Sequence, residues 1–214
     1  PKAIEKNSFE MIRQLTDLNG LDQSQQQVVM RIVHSVGMPE VAGKVKFSAN
    51  ACESGQKALA AGNAILCDVE MVKQGITKRM IQQPPLCFLN DPRTVALAKA
   101  SGETRSMAAL KFWGDDLAGS IVVIGNAPTA LYRLLEMIEQ ENEKKGRAEN
   151  TNKPALIIGM PVGFIGAAES KQALWDVHER LGVECITLLG NQGGSAVSSA
   201  TCNALLRCNI GEIY

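Results

Sequence analysis

The chain has 214 residues, enough for one α/β domain with a large core across residues 1–214. Lysine plus arginine matches aspartate plus glutamate at 22 each, so the formal net charge is zero. That argues against a general nucleic-acid binder, which needs a basic surplus, but leaves room for a local basic pocket for a small anion. The opening residues P-K-A-I-E-K-N-S-F hold no signal-peptide core, and no run reaches the ~18 apolar residues of a membrane span. The six cysteines form no C-x-x-C and no zinc-type Cys/His spacing. A reducing, cytoplasmic protein without a structural metal or a cofactor is expected.

Ile4 to Leu18 reads as a first helix with Phe9, Ile12 and Leu15 on one side; Ser8 faces either the core or a pocket. A second helix starts with Asp22 or Ser24 as its N-cap and stops at Gly37, just before Met38-Pro39. Along it, Val28, Val29, Ile32, Val33 and Val36 form an apolar stripe at the helical period of about 3.6 residues. Gln27, Arg31 and His34 share the opposite side. His34 is one of two histidines in the chain. It is either a surface residue on a solvated face or a group that gives and takes a proton near neutral pH.

Asn50 to Ala61 is a further helix, closed by Gly62. The pattern then changes to short apolar runs: Ala64–Val69, Leu86–Leu89, Ile121–Ile124, Ala155–Ile158 and Cys185–Leu189. These read as buried strands. Helical patterns fill the gaps at Glu70–Gln74, Thr94–Lys99, Arg105–Trp113, Thr129–Glu141 and Ser170–Leu181, and the polar stretch Glu139–Lys153 reads as a frayed helix end plus an exposed loop. Strand and helix in alternation predict a mostly parallel sheet of about five strands, covered on both faces. His178, in the charged segment W-D-V-H-E-R, is expected in solvent.

Ligands of open parallel sheets bind beyond the carboxyl ends of the strands. There the chain places Gly125-Asn126-Ala127-Pro128, the run Gly159 to Gly166, and Gly190 to Ser195. Glycines let backbone come close to a ligand and aim amides at it, although tight strand-to-helix turns account for many of them. Neither G-x-x-x-x-G-K-[ST] nor G-x-G-x-x-G occurs, which argues against a nucleotide- or S-adenosylmethionine-dependent enzyme. Ionisable groups at that edge include Asp68, Asp91, Arg93, Arg105, Arg133, Glu169 and Lys171. Thr104 is a plausible N-cap that would set Arg105 in a first turn, among free amides suited to a carboxylate. Thr77-Lys78-Arg79 is a basic loop.

Several stretches, in order along nearly the whole chain, resemble the precorrin-8X methylmutase (precorrin isomerase) family. They are I-E-K-N-S-F, M-R-I-V-H, I-L-C-D-V-E-M-V-K-Q-G-I-T, N-D-P-R, T-R-S-M-A-A, I-G-N-A-P-T-A-L-Y-R-L-L-E, I-G-M-P-V-G-F-I-G-A-A-E-S-K and G-G-S. The resemblance implies a three-layer α/β/α fold that assembles as a homodimer. It implies an isomerase of cobalamin biosynthesis, moving a methyl from the α-carbon of ring C to the adjacent β-carbon of a corrinoid. The product would be hydrogenobyrinic acid or its cobalt counterpart, cobyrinic acid. The shift is intramolecular, so no methyl donor is needed. The resemblance assigns the proton donor to His34 and substrate contacts to Ser8 and Arg31, with Thr77 and Arg105 as further pocket residues. Where the family pattern often has a basic residue before G-G-S, this chain has Gln192, which leaves the backbone amides of Gly193 and Gly194 as carboxylate contacts. A non-catalytic corrinoid carrier would share the pocket without needing His34.

Overall fold

A computed structural model describes residues 2–214, apart from the side chain of Lys2. Its centre is a six-stranded sheet of β1 (Val45–Phe47), β2 (Ile65–Cys67), β3 (Leu86–Cys87), β4 (Ile121–Ile124), β5 (Leu156–Gly159) and β6 (Cys185–Leu188), in the order β1-β6-β5-β4-β2-β3. Five strands are parallel, as the apolar runs predict. The sixth, β1, joins antiparallel at the edge beside β6. Its three residues, V-K-F, are too short to show alternation.

One face of the sheet is covered by α1 (Lys2–Leu15), α2 (Gln23–Val36), α3 (Ala51–Ala60), α4 (Glu70–Gly75) and α9 (Ser195–Asn209). The other carries α6 (Arg105–Ala109), α7 (Pro128–Lys145) and α8 (Ala167–Leu181), with α5 (Pro92–Ser101) packed on α6. Strand residues alternate between the two cores: Ile121, Val123 and Ile158 point to the first, Val122, Ile124 and Ile157 to the second. This is the three-layer α/β/α arrangement. Among the described residues no helix is long and apolar enough to cross a membrane.

Several local expectations need correction. The first helix ends at Leu15, whose side chain is exposed while Phe9 and Ile12 are buried. The helix before Gly146 is not frayed at Glu139 but runs to Lys145, and the loop after it is pinned by buried Asn150, whose amide donates to Asn142 Oδ1 at 2.9 Å. His178 is only 7% exposed, not solvated. Its ring stacks on Trp175, and Nδ1 lies 2.6 Å from the Trp175 carbonyl oxygen. The polar side of α2 is covered too: Gln27 is buried and exchanges hydrogen bonds with the backbone of Tyr214, because α1 and the residues around Tyr214 cross over it.

Candidate active site

The site begins with how α2 is fixed. Asp22 is its N-cap: its carboxylate accepts from the Gln25 amide at 2.8 Å, and the Gln25 side chain accepts from the Asp22 amide at 3.0 Å. This reciprocal pair satisfies two otherwise free donors. At the far end Gly37 takes a left-handed conformation, φ 74°, and gives its N–H to the Val33 carbonyl at 2.7 Å. His34 therefore stands on a turn held at both sides. It is exposed, and its ring lies flat against Phe9 with centroids 5.2 Å apart. Phe9 is buried and stacks on Tyr214 at 4.4 Å.

His34 borders a hollow of about 260 Å³ with Ser8, Met11, Ile12, Leu15, Val33, Gly37 and Pro39. The structure thus brings Ser8 and His34 together, although they come from different helices. Ser8 donates to the Ile4 carbonyl at 3.0 Å. A larger cavity of about 590 Å³ lies along the other side of α1, bounded by Glu5, Phe9, Arg13, Arg79, Arg207 and Tyr214 among others. His34 is not in it. Its cations already have partners: Arg79 and Arg207 reach Glu212, and Arg13 reaches the Tyr214 carbonyl.

Arg31 is drawn inward rather than presented to the hollow. Its guanidinium lies 4.6 Å from the Phe9 ring centroid and 5.2 Å from that of Tyr214, and pairs with Glu5 at 3.3 Å. Its Nη2 is buried with no hydrogen-bond partner among the described residues. Burial pushes the Glu5 carboxyl up, but a Tyr214 hydrogen bond and the Arg31 charge outweigh it and hold it below the usual value. Phe9 belongs to the I-E-K-N-S-F motif, yet its role as a stacking floor for His34 left no mark in the sequence. Neither did that of Tyr214.

The other candidates lie apart. Thr77 lies just past α4, before the short 3-10 turn Lys78–Met80, and its amide donates to Asn203 Oδ1 at 2.9 Å. Arg105 opens α6 behind the Thr104 N-cap, as expected, and its Nη1 reaches Asn90 Oδ1 at 3.2 Å beyond β3. Asp68 is a structural anchor: its buried carboxylate accepts from the amides of Gly125, Asn126 and Ala127 at 3.0, 2.9 and 2.8 Å. Burial raises its pKa against the pull of those amides.

The glycine loops at this edge brace one another. Gly163 N–H donates to the Asn191 carbonyl at 3.2 Å, and Gly194 N–H to the Met160 carbonyl at 2.9 Å. The Gly194 amide is thereby committed inside the fold, so it is not a free contact for a carboxylate. Gly193 presses so closely on the same loop that a Cβ there would meet the Met160 carbonyl oxygen at 2.3 Å. Lys171 is buried beneath, with Nζ donating to the Gln192 carbonyl.

Comparison with known proteins bears on all of this. The family model described as precorrin-8X methylmutase matches residues 3–208. A precorrin-8X methylmutase of a Sinorhizobium species is 45% identical over 96% of this chain and 93% of its own length. Its counterpart from Pseudomonas aeruginosa is 43% identical, over 95% and 94%. A cobalt-precorrin-8 methylmutase of Methanocaldococcus jannaschii is 35% identical, over 88% and 82%. The crystal structure of a precorrin-8X methylmutase from Thermus thermophilus superposes with a TM-score of 0.84 at 32% identity, covering 99% of this chain and 100% of that one. With the family model spanning nearly every described residue and the same α/β/α frame in a solved relative, the chain belongs to the precorrin-8X methylmutase family.

Proposed function

We propose that this methylmutase isomerises precorrin-8X or cobalt-precorrin-8 with His34 as the proton donor. The bond from the migrating methyl to the ring C α-carbon breaks as the bond to the adjacent β-carbon forms, and the molecular formula is unchanged. A proton lent to the conjugated ring makes it more electron-poor and eases the shift; it is returned afterwards. General acid help of this kind is typically worth about 10²–10⁴ in rate. The observation that carries the reading is the placement of His34: exposed, stacked on buried Phe9, and sharing its hollow with Ser8. Stacking fixes the ring plane while leaving the imidazole edge open to a ligand. Arginines suit the carboxylate rim of a corrinoid, since a planar guanidinium takes a carboxylate through two bonds. Arg105 is exposed and available for that; Arg31 would first have to exchange Glu5 for a substrate carboxylate.

The protein works as a homodimer in this reading. A run of apolar side chains, Ile4, Met11 and Leu15, faces outward on α1 beside the hollow, and a second copy is the natural cover for it. Residues 1–214 act as a single domain. Six free cysteines, four of them buried, fit a reducing cytoplasmic compartment.

The deciding experiment is His34→Ala. Turnover should fall by about 10²–10⁴ while product still binds, as seen in an absorbance titration with hydrogenobyrinic acid. Wild-type turnover would refute His34 as the donor. Slow product release with normal binding after the same change would favour a non-catalytic carrier instead.

A further inference from the structure

Lys171 is the most deeply buried charge in the described chain that the mechanism above does not use. It lies in the second turn of α8 and has no accessible surface. Its Nζ donates to the Gln192 carbonyl at 2.5 Å. Gln192 is held from its other end as well: its side-chain amide reaches Met38 Sδ at 3.2 Å. Met38 directly follows Gly37, the residue that closes the α2 turn carrying His34. The β6–α9 loop around Gln192 is further locked to the β5 loop through Asn191–Gly163 and Gly194–Met160.

A lysine is an expensive choice for a dry place. Water is its best partner, and an apolar side chain of similar length would bury at less cost. Burial pushes this ammonium down to about 8 from its ordinary value. Among the described residues the hydrogen bond of this long donor goes to one backbone carbonyl, that of Gln192, and it serves that carbonyl.

We propose that Lys171 is a positioning residue for the methyl shift: by holding the Gln192 carbonyl it fixes the β6–α9 loop against the end of α2 and so sets where His34 stands. The inference rests on His34 being the proton donor. Lys171 touches neither substrate nor reacting atoms; it acts through Gln192 and Met38.

The test is a kinetic cycle of Lys171→Met, His34→Ala and the double variant, assayed with precorrin-8X beside a thermal melt of each protein. Methionine fills the same volume without a charge, so the melting temperature of Lys171→Met should match or exceed wild type at pH 7. Its kcat should fall by about 10-fold or more, with KM changed less. The double variant should be no slower than His34→Ala alone, because a misplaced donor and a missing one fail in the same way. If Lys171→Met keeps wild-type kcat while His34→Ala is slow, the positioning role is wrong and the donor assignment stands. If the two losses multiply in the double variant, Lys171 acts independently of His34, and the proposal is equally overturned. If His34→Ala itself turns over normally, the donor reading fails and takes this one with it. Gln192→Leu covers the case in which Lys171→Met does not fold. It leaves the backbone carbonyl in place and removes only the amide that reaches Met38. It should lose about 3-fold or more in kcat, and a wild-type kcat there overturns the proposal.

Discussion

The charge on Lys171 has a thermodynamic signature separate from catalysis. An unfolded lysine titrates near ~10.4, whereas in the fold burial holds this one at about 8. Below pH 8 both states carry the proton and the fold bears the cost of a dry ammonium. Between the two values the native state has lost a proton that the unfolded chain still binds, so stability rises with pH across that window. The span corresponds to about 3 kcal/mol. Urea unfolding of wild type and Lys171→Met at pH 7 and pH 10.5 should therefore show wild type gaining about 3 kcal/mol relative to the variant. A difference that does not change with pH would mean that Lys171 is not charged in a dry site. At this scale the sequence was partly readable. His34 stood out because it lies opposite the apolar stripe of its helix, beside Gln27 and Arg31, and Lys171 stood out as an ionisable group near the carboxyl ends of the strands. Their surroundings were hidden, because burial depends on how elements pack: His178 looks solvated in W-D-V-H-E-R, yet α8 lies against α7 and this histidine is buried.

Among the helices, α9 went unseen in the sequence, and its composition explains why. S-A-V-S-S-A-T-C-N-A-L-L-R-C-N has little contrast between faces, and serine and threonine are indifferent helix formers. In the fold it is wrapped by α2, α3 and α4, so most of its circumference is buried and no polar side is required. Its hydroxyls are satisfied locally: Ser199 and Thr201 donate to the carbonyls of Ser195 and Val197 at 2.7 and 3.0 Å. The small side chains permit close approach. A Cβ at Gly75 would meet Ser199 Oγ at 2.4 Å and Ser199 Cβ at 2.8 Å. Gly75→Ala should thus cost about 1–3 kcal/mol through overpacking. Adding Ser199→Gly removes both clashing atoms. The double variant, measured by urea unfolding, should be more stable than the sum of the two single losses. Strict additivity would show that α4 and α9 do not meet as closely as described. The parallel strands β2, β4, β5 and β6 were legible because they are buried throughout and their apolar runs are continuous; β1, with three residues at an edge, offered no such run.

For the whole molecule, the order of strands decides what one copy of the chain can do alone. His34 belongs to the side of β6, through Met38 and Gln192, while Arg105 is tied to Asn90 beyond β3. Four strand spacings of about 4.8 Å separate those loops, roughly 19 Å across the sheet. No motif spacing reveals such a distance, since it arises from the crossovers rather than from any local pattern. One hollow of about 260 Å³ beside His34 does not reach Arg105. In the proposed dimer, the outward residues of α1 are where a second copy would complete the site. Ile4, Ser8, Met11 and Leu15 recur at helical spacing, and Ser8, Met11 and Leu15 also border the hollow. A second copy seated on this stripe would close the hollow over its ligand. At ~1.5–3 kcal/mol for each large apolar side chain taken out of water, Met11 and Leu15 together are worth a 10²-fold or larger change in the dimer dissociation constant. Sedimentation velocity of Met11→Glu/Leu15→Glu should show a shift toward monomer at concentrations where wild type is dimeric. Turnover should fall with the dimer fraction and recover as protein concentration is raised. A variant that stays fully dimeric would move the interface elsewhere, leaving the exposed Phe164 and Ile165, 93% and 92% accessible at the glycine-rich edge, as the next apolar surface to test.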